Sequence, residues 1–265
     1  MFRLAALIVD DTTEPTRFAG LDLLTRAVRT LERAGIRRIE VANNTAPFAN
    51  TPNADRLIVL PVQTIIEPMA VRALAYSDLE AGEAIVAVDE RSELATTAML
   101  MLSREAVERV RRASNVHDAV RRLAREGRAR RTTVMPWFCA SLDTWGDVSK
   151  AERDYLQSTA TVDGFAPRPL RALSIRLTQH MLRGATRPVH AKAAAVAATL
   201  LSCAVFALGG SLSILTGFMM LTVGLALECS AAEIARATLQ APSTTTGSRV
   251  WPAIDWRDAR RGAAR

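Results

Sequence analysis

The sequence predicts an α/β fold with a three-layer, mostly parallel sheet, followed by an amphipathic helix and a two-helix transmembrane hairpin. Three observations carry this. Short apolar runs alternate with helix-period segments over roughly the first 155 residues. From Ala193 to Leu227 the chain then runs 35 residues without a charge. Cations flank that run on both sides.

In chain order, Leu4–Val9 is an apolar run ending at Asp10-Asp11 and suits a buried first strand. Leu21, Leu24, Val28 and Leu31 recur at helical spacing and Gly35 follows as a stop, so Gly20–Ala34 reads as a helix. Arg38–Ala42 is the next strand, ended by Asn43-Asn44. Strand, helix and strand at this spacing form a βαβ unit, whose strands are parallel and whose crossover is right-handed. The pattern repeats with strands at Leu57–Val62 and Ala84–Val88 around a Pro68–Ala75 helix, then a strand at Thr96–Leu102. Ser103 and Asn115 are placed to cap helices running to Arg112 and to Gly127. Thr132–Phe138 reads as a last strand and Asp147–Leu156 as a closing helix.

Asp163-Gly164, with Pro167 and Pro169, marks a linker. Leu170, Leu173, Leu177 and Met181 then form an apolar stripe, with Arg168, Arg171, Arg176 and Arg183 largely elsewhere. Such a helix lies at a membrane interface or packs on the core of the head. The uncharged run exceeds the ~20 residues of one crossing. Gly209-Gly210-Ser211 at its middle divides it into two short arms. Arg183, Arg187 and Lys192 precede it, and Arg236, Arg249, Arg257, Arg260, Arg261 and Arg265 follow it. A hairpin keeps both groups inside, in line with the positive-inside tendency. The chain thus divides into residues 1–158 (α/β head), 159–186 (linker and interfacial helix), 187–240 (membrane hairpin) and 241–265 (disordered basic tail).

A net charge of +7 and a pI near 10.3 admit either nucleic acid or an anionic membrane as partner. Aromatics at 5% are too few for a base-stacking platform, so nucleic acid is set aside and the lipid bilayer is the expected partner. Cys139, Cys203 and Cys229 fit no zinc spacing, and His117, His180 and His190 lie far apart. The apolar residues after Met1-Phe2-Arg3 meet Asp10-Asp11 too early for a secretory core, so head and tail are expected on the cytoplasmic side of the inner membrane.

Several stretches resemble known modules. Ser141-Leu142-Asp143-Thr144-Trp145-Gly146-Asp147 resembles the acidic segment near the end of sugar-phosphate nucleotidyltransferase domains. Gly20-Leu21-Asp22-Leu23-Leu24 through Ala34-Gly35-Ile36 resembles their first crossover helix. Glu233-Ile234-Ala235-Arg236 resembles the centre of the CDP-alcohol phosphotransferase signature, D-x2-D-G-x2-A-R-x8-G-x3-D-x3-D. Val162-Asp163-Gly164 and Leu173-Ser174-Ile175-Arg176 resemble the joint in fused chains carrying both modules. The whole is similar to the bifunctional inositol-phosphate cytidylyltransferase/di-inositol-phosphate phosphate synthase type. That resemblance implies a nucleotidyltransferase-like head, a phosphotransferase membrane module, Mg²⁺ or Mn²⁺, and phospholipid or phosphodiester headgroup synthesis from a CDP-alcohol.

Both motifs are degraded. The loop after the first strand, Asp10 to Arg17, has no glycine and three acidic residues, where a phosphate cradle needs closely approaching backbone N–H groups. Arg17 alone matches, as a nucleotide-binding candidate. Asp143 aligns with one metal-binding aspartate, while Gln63 stands where the second belongs, and a neutral amide is a poor ligand for a hard cation. In the membrane module Glu228 replaces the first aspartate, as the candidate metal ligand, and Ala231-Ala232 replaces Asp-Gly. Glu228, Glu233 and Arg236 are the remaining catalytic candidates, and the second half of the signature is missing. The expectation is a membrane-anchored relative of the phosphotransferases, impaired on its own. Its rivals are a non-catalytic scaffold or partner subunit of an active homologue or second membrane protein, and a nucleotidyltransferase with an atypical loop.

Overall fold

A computed structural model describes residues 3–10, 16–88, 97–132, 137–142, 148–160, 168–184 and 186–239. Asp11–Pro15, Asp89, Asp143, the 161–167 linker and the tail from Gln240 lie outside the described residues.

The head is built on a six-stranded sheet in the order β4-β1-β5-β8-β7-β9. These are β1 (Leu4–Asp10), β4 (Ile39–Asn43), β5 (Arg56–Pro61), β7 (Ala84–Val88), β8 (Thr97–Ser103) and β9 (Ala129–Thr132). β1 lies between β4 and β5, parallel to both. β7 and β9 are also parallel. β8 runs antiparallel to both its neighbours. The sheet is therefore parallel at three of its five seams, the outcome expected from alternating strands and helices. Ala5 to Val9 and Leu57 to Leu60 are buried on both faces, as continuous apolar runs in a covered parallel sheet must be. One face packs against α1 (Leu23–Arg33) and α2 (Pro68–Ala75). The other packs against α3 (Arg104–Val110) and α4 (Val116–Arg125).

The capping residues act as expected. Ser103 Oγ accepts from the Ala106 N–H at 3.3 Å, and Asn115 Oδ1 from the Asp118 N–H at 2.8 Å. Three sequence expectations are corrected. The first helix starts at Leu23, not Gly20, because Ala19 and Gly20 both have positive φ (48° and 78°). They form the two-residue turn of a small hairpin between β2 (Arg17–Phe18) and β3 (Leu21–Asp22). The Ala19 N–H is held by Glu152 Oε1 at 2.7 Å, and Asp22 becomes the helix cap. Of the strand expected over Thr132–Phe138, residues 133–136 lie outside the described residues; Thr132 belongs to β9, Trp137 and Phe138 to no strand, and β10 (Cys139–Ser141) follows. β10 leaves the main sheet to pair antiparallel with β6 (Thr64–Ile66), a strand the sequence reading left out.

The closing helix is α5 (Val148–Ala160). After it come α6 (Arg168–Arg183), α7 (Pro188–Ala207) and α8 (Ser211–Ala237). α7 and α8 form the expected hairpin, turned at Gly209 and Gly210 with φ of 67° and 94°, a conformation open to glycine without strain. Both are long and apolar enough to cross a membrane. Their contact is built from small residues. A Cβ on Gly217 would fall 2.6 Å from the Phe206 ring, and one on Gly224 would fall 2.9 Å from Thr199 Oγ1. Ser202 Oγ donates to the Gly217 carbonyl at 2.8 Å. Close approach through glycine is how helices pack where lipid offers no competing hydrophobic drive. Leu200, Leu201, Leu212, Leu215, Phe218 and Met219 are left pointing outward.

The α6 helix is amphipathic, but its packed face is offset from the leucine stripe. Ser174, Ile175, Thr178 and Leu182 are buried, while Leu173 is exposed. Ser174 meets Ser230 and Glu233, and Thr178 meets Glu233, so α6 runs alongside α8 in the same direction. Ile175, Leu182, Ala191, Ala231, Ile234 and Ala237 all join the core of the head. Head and hairpin base therefore share one continuous core.

Candidate functional site

The candidate residues fall in two places: the carboxyl edge of the parallel strands and the base of α8. In open parallel sheets, ligands bind in the crevice beyond the carboxyl ends of the strands. Here that edge carries Asp10, Asn43-Asn44 and Val62-Gln63. The Asn44 N–H donates to the Asp10 carbonyl at 3.2 Å and the Val62 N–H to the Val9 carbonyl at 2.9 Å, fixing three strand ends side by side. The Leu142 N–H donates to the Gln63 carbonyl at 3.0 Å, extending the β10–β6 pairing. The residue before Asp143 is thus tied to Gln63 at the strand end. Arg17 is exposed on β2, directly opposite Asp22. Slight burial pushes the Asp22 carboxyl up, but the hydrogen bonds from Thr25 and the charge of Arg17 outweigh it and hold it below its ordinary range.

At the base of α8 the three candidate residues do not converge. Glu233 follows Glu228 by five positions, which turns them about 140° apart on a helix of 3.6 residues per turn. Glu228 is exposed and lines a shallow groove of about 260 Å³ with Lys192, Ala195, Val196, Thr199 and Leu200. Glu233 points the other way, into the protein. Its Oε1 accepts from Ser174 Oγ at 2.9 Å and its Oε2 from Thr178 Oγ1 at 2.6 Å. Both carboxylate oxygens are therefore occupied by the α6 helix. Arg236 is half-buried in the last turn. Among the described residues no group of three or more His, Cys, Asp or Glu side chains is placed to hold a metal ion.

Beside this base sits a residue the sequence reading passed over. Arg26 is buried on the packed face of α1, with Leu23, Ala27, Thr30 and Leu31. Its guanidinium lies between the rings of Phe18 and Tyr155, at 4.9 and 4.8 Å from their centroids. It donates to the Ala237 carbonyl at 2.7 Å, and Arg29 donates to the Thr238 carbonyl at 3.0 Å. Two cations on α1 thus cap the carbonyl end of α8, where orphan acceptors and the helix dipole favour positive charge. The cation also faces Glu67. Burial pushes the Glu67 carboxyl up, opposed by a hydrogen bond at Phe138 and by the Arg26 charge. An arginine in register with apolar positions of a helix was the available sequence signal.

No protein-family model matches the sequence, and no curated protein matches it. Several solved structures are similar to the head, among them the following three. One is from Bacillus anthracis, solved with sucrose and described as a glucose-1-phosphate thymidylyltransferase (11% identity, TM-score 0.39, covering 57% of this chain and 95% of that one). Another is a Mycobacterium tuberculosis protein in complex with manganese (15%, 0.42, 56% and 96%). The third is the inositol-1-phosphate CTP transferase of T. maritima (12%, 0.40, 62% and 99%).

Proposed function

We propose that this chain is a membrane-anchored relative of the fused nucleotidyltransferase/CDP-alcohol phosphotransferase proteins that does not carry out phosphotransfer by itself. It serves as a partner subunit held at the membrane. One observation supports this above the others: Glu233, at the centre of the eroded signature, spends both carboxylate oxygens on Ser174 and Thr178. Displacing CMP from a CDP-alcohol needs carboxylates that hold divalent ions against the diphosphate. Glu228 and Glu233 diverge and do not fit a pair of Mg²⁺ or Mn²⁺ ions at the ~3.5–4 Å spacing such sites use. Two helices of spanning length support anchoring, with head and tail on the cytoplasmic side as the flanking cations favour.

The test is direct. Full-length protein in detergent is incubated with Mg²⁺ or Mn²⁺, labelled CDP-alcohols and acceptor alcohols, and CMP release is followed. The expected result is no turnover above a Glu228→Ala/Arg236→Ala control. Turnover by the purified chain would overturn the reading, and turnover gained only on adding a second membrane protein would identify the partner.

A second reading rests on the Leu142–Gln63 hydrogen bond, which ties the residue before Asp143 to the end of the β5 segment. On it, the head retains nucleotide binding through an atypical loop and one carboxylate. Titrating CTP with Mg²⁺ into the full chain by calorimetry tests it. Binding lost in Asp143→Asn supports this reading, and no heat at millimolar CTP removes it.

A further inference from the structure

The hairpin is shorter than its helices suggest, because its base belongs to the head. Ala191 on α7 and Ala231, Ile234 and Ala237 on α8 are buried in the head's core. α6 is hydrogen-bonded to α8 at Ser230 and Glu233. Lys192 and Glu228, just inside that base, end the uncharged stretch of each arm. The free arms are then Ala193–Leu208 and Ser211–Leu227. At about 16–17 residues each and 1.5 Å per residue, they reach about 25 Å. An ordinary hydrocarbon core is ~30 Å thick.

The tip cannot make up the difference by stopping inside the lipid. Gly210 caps α8 without a side-chain hydrogen bond, and Ile214 N–H is the one that returns to the Gly210 carbonyl. The N–H groups of the first turn, and carbonyls at the end of α7, need water or lipid headgroups. Leaving such groups in hydrocarbon costs several kcal/mol each. Leu208 and Leu212, beside the turn, are among the most exposed large apolar side chains, at 78% and 80%. They favour depth up to the far interface and no further. Both ends of the arms are therefore fixed: the base by the folded head, the tip by its polar backbone. Arms already shorter than the hydrocarbon core gain no reach by tilting, which only reduces their span, so the bilayer must adjust.

We propose that the α7–α8 hairpin is matched to a thin bilayer, with a hydrocarbon core of about 25 Å. The protein partitions into membranes of short-chain phospholipids and thins thicker ones around it. This rests on the anchoring proposed above and specifies the lipid that anchors it.

Full-length protein is reconstituted into vesicles of phosphatidylcholine and phosphatidylglycerol carrying myristoleoyl, oleoyl or erucoyl chains. Carbonate-resistant flotation is measured for each. Incorporation is expected to fall several-fold from the shortest chain to the longest. A variant with about one extra apolar turn in each arm, placed on either side of Gly209-Gly210 so that the Gly217–Phe206 packing is kept, should shift the optimum to the longer chains. Equal or better incorporation of the unmodified protein in erucoyl vesicles would overturn the thin-bilayer match while leaving anchoring intact. Failure to float with any vesicle would defeat anchoring itself. If such non-floating chain ran as a dimer or larger without detergent, a second copy would be the cover of the apolar face, and this inference would fall with it.

Discussion

The head and the hairpin are held together by opposite means. In the head, large side chains fill the interior: Leu7, Ile8, Ile58, Leu60, Ile85 and Phe138 are essentially inaccessible. In the hairpin the interior is Ala195, Ser202, Gly217 and Gly224, while leucines, phenylalanine and methionine point outward. A water-soluble core gains by removing bulky apolar surface from water. Two helices in lipid gain nothing that way and associate through close backbone approach. The same apolar composition therefore gives two architectures, and the second is the one the anchoring proposed above calls for. Where the two regions meet, neither rule holds alone. There an apolar core is joined by specific polar contacts: Arg26 and Arg29 on the α8 carbonyls, and Glu233 on two hydroxyls.

The largest expected effect comes from cutting the two regions apart. Residues 1–160 alone lose Ile175, Leu182, Ile234 and neighbouring alanines from the core and expose the α1 face that carries Arg26. At about 1.5–3 kcal/mol per large apolar side chain, roughly 5 kcal/mol of stability should vanish. Chemical denaturation of the fragment against the full chain in detergent measures it. A fragment as stable as the whole would show that the shared core is incidental.

Next come substitutions within each region. Leu60→Ala in the head should cost about 2–5 kcal/mol, through lost transfer energy and a cavity. In the hairpin the direction reverses, and enlarging is what harms. Gly217→Val should cost about 1–3 kcal/mol, since its first carbon would meet the Phe206 ring. Thermal unfolding read by near-ultraviolet dichroism for the head, and by a Phe206→Trp reporter for the hairpin, separates the two. Tolerance of valine at 217 would break the comparison.

At the junction, Glu233→Ala should cost about 1–3 kcal/mol by taking the acceptor from the buried Thr178 hydroxyl and leaving Ser174 only the Arg171 carbonyl at 3.2 Å. Glu233→Gln keeps one acceptor oxygen and should cost less. Protease sensitivity of the 161–167 linker offers a convenient readout, with Ala cut faster than Gln. Equal rates would mean that the carboxylate does not hold α6.

The smallest effect concerns one cap. Asp22→Ala should cost about 1 kcal/mol, because Asp22 Oδ1 accepts the Thr25 N–H at 2.8 Å. The folded carboxyl titrates below its ordinary value, so its contribution is present above the unfolded pKa and is lost as pH falls through the folded one. Wild type and Asp22→Ala should therefore differ at neutral pH and converge in acid below that range. A difference independent of pH would assign the effect to helix propensity instead.

What the sequence determined by itself is whatever a short window contains. The strands at Leu4, Leu57 and Ala84, the caps at Ser103 and Asn115, and the turn at Gly209-Gly210 were legible because periodicity, capping and glycine conformation act over a few residues. The uncharged run and its flanking cations were legible for the same reason. Tertiary structure decided the rest. β8 runs against its neighbours, and β10 abandons the main sheet for β6, through pairings between distant segments that no window holds. The packed face of α6 turned away from its leucine stripe because a buried carboxylate, 59 residues on from Ser174, demanded hydroxyl partners. For the same reason the candidate site could be listed from the sequence but not assembled. Glu228 and Glu233 are near neighbours in the chain, yet the helix turns one toward Lys192 and the other into the head. Composition and order are local properties; the direction in which a carboxylate points is set by everything packed around it.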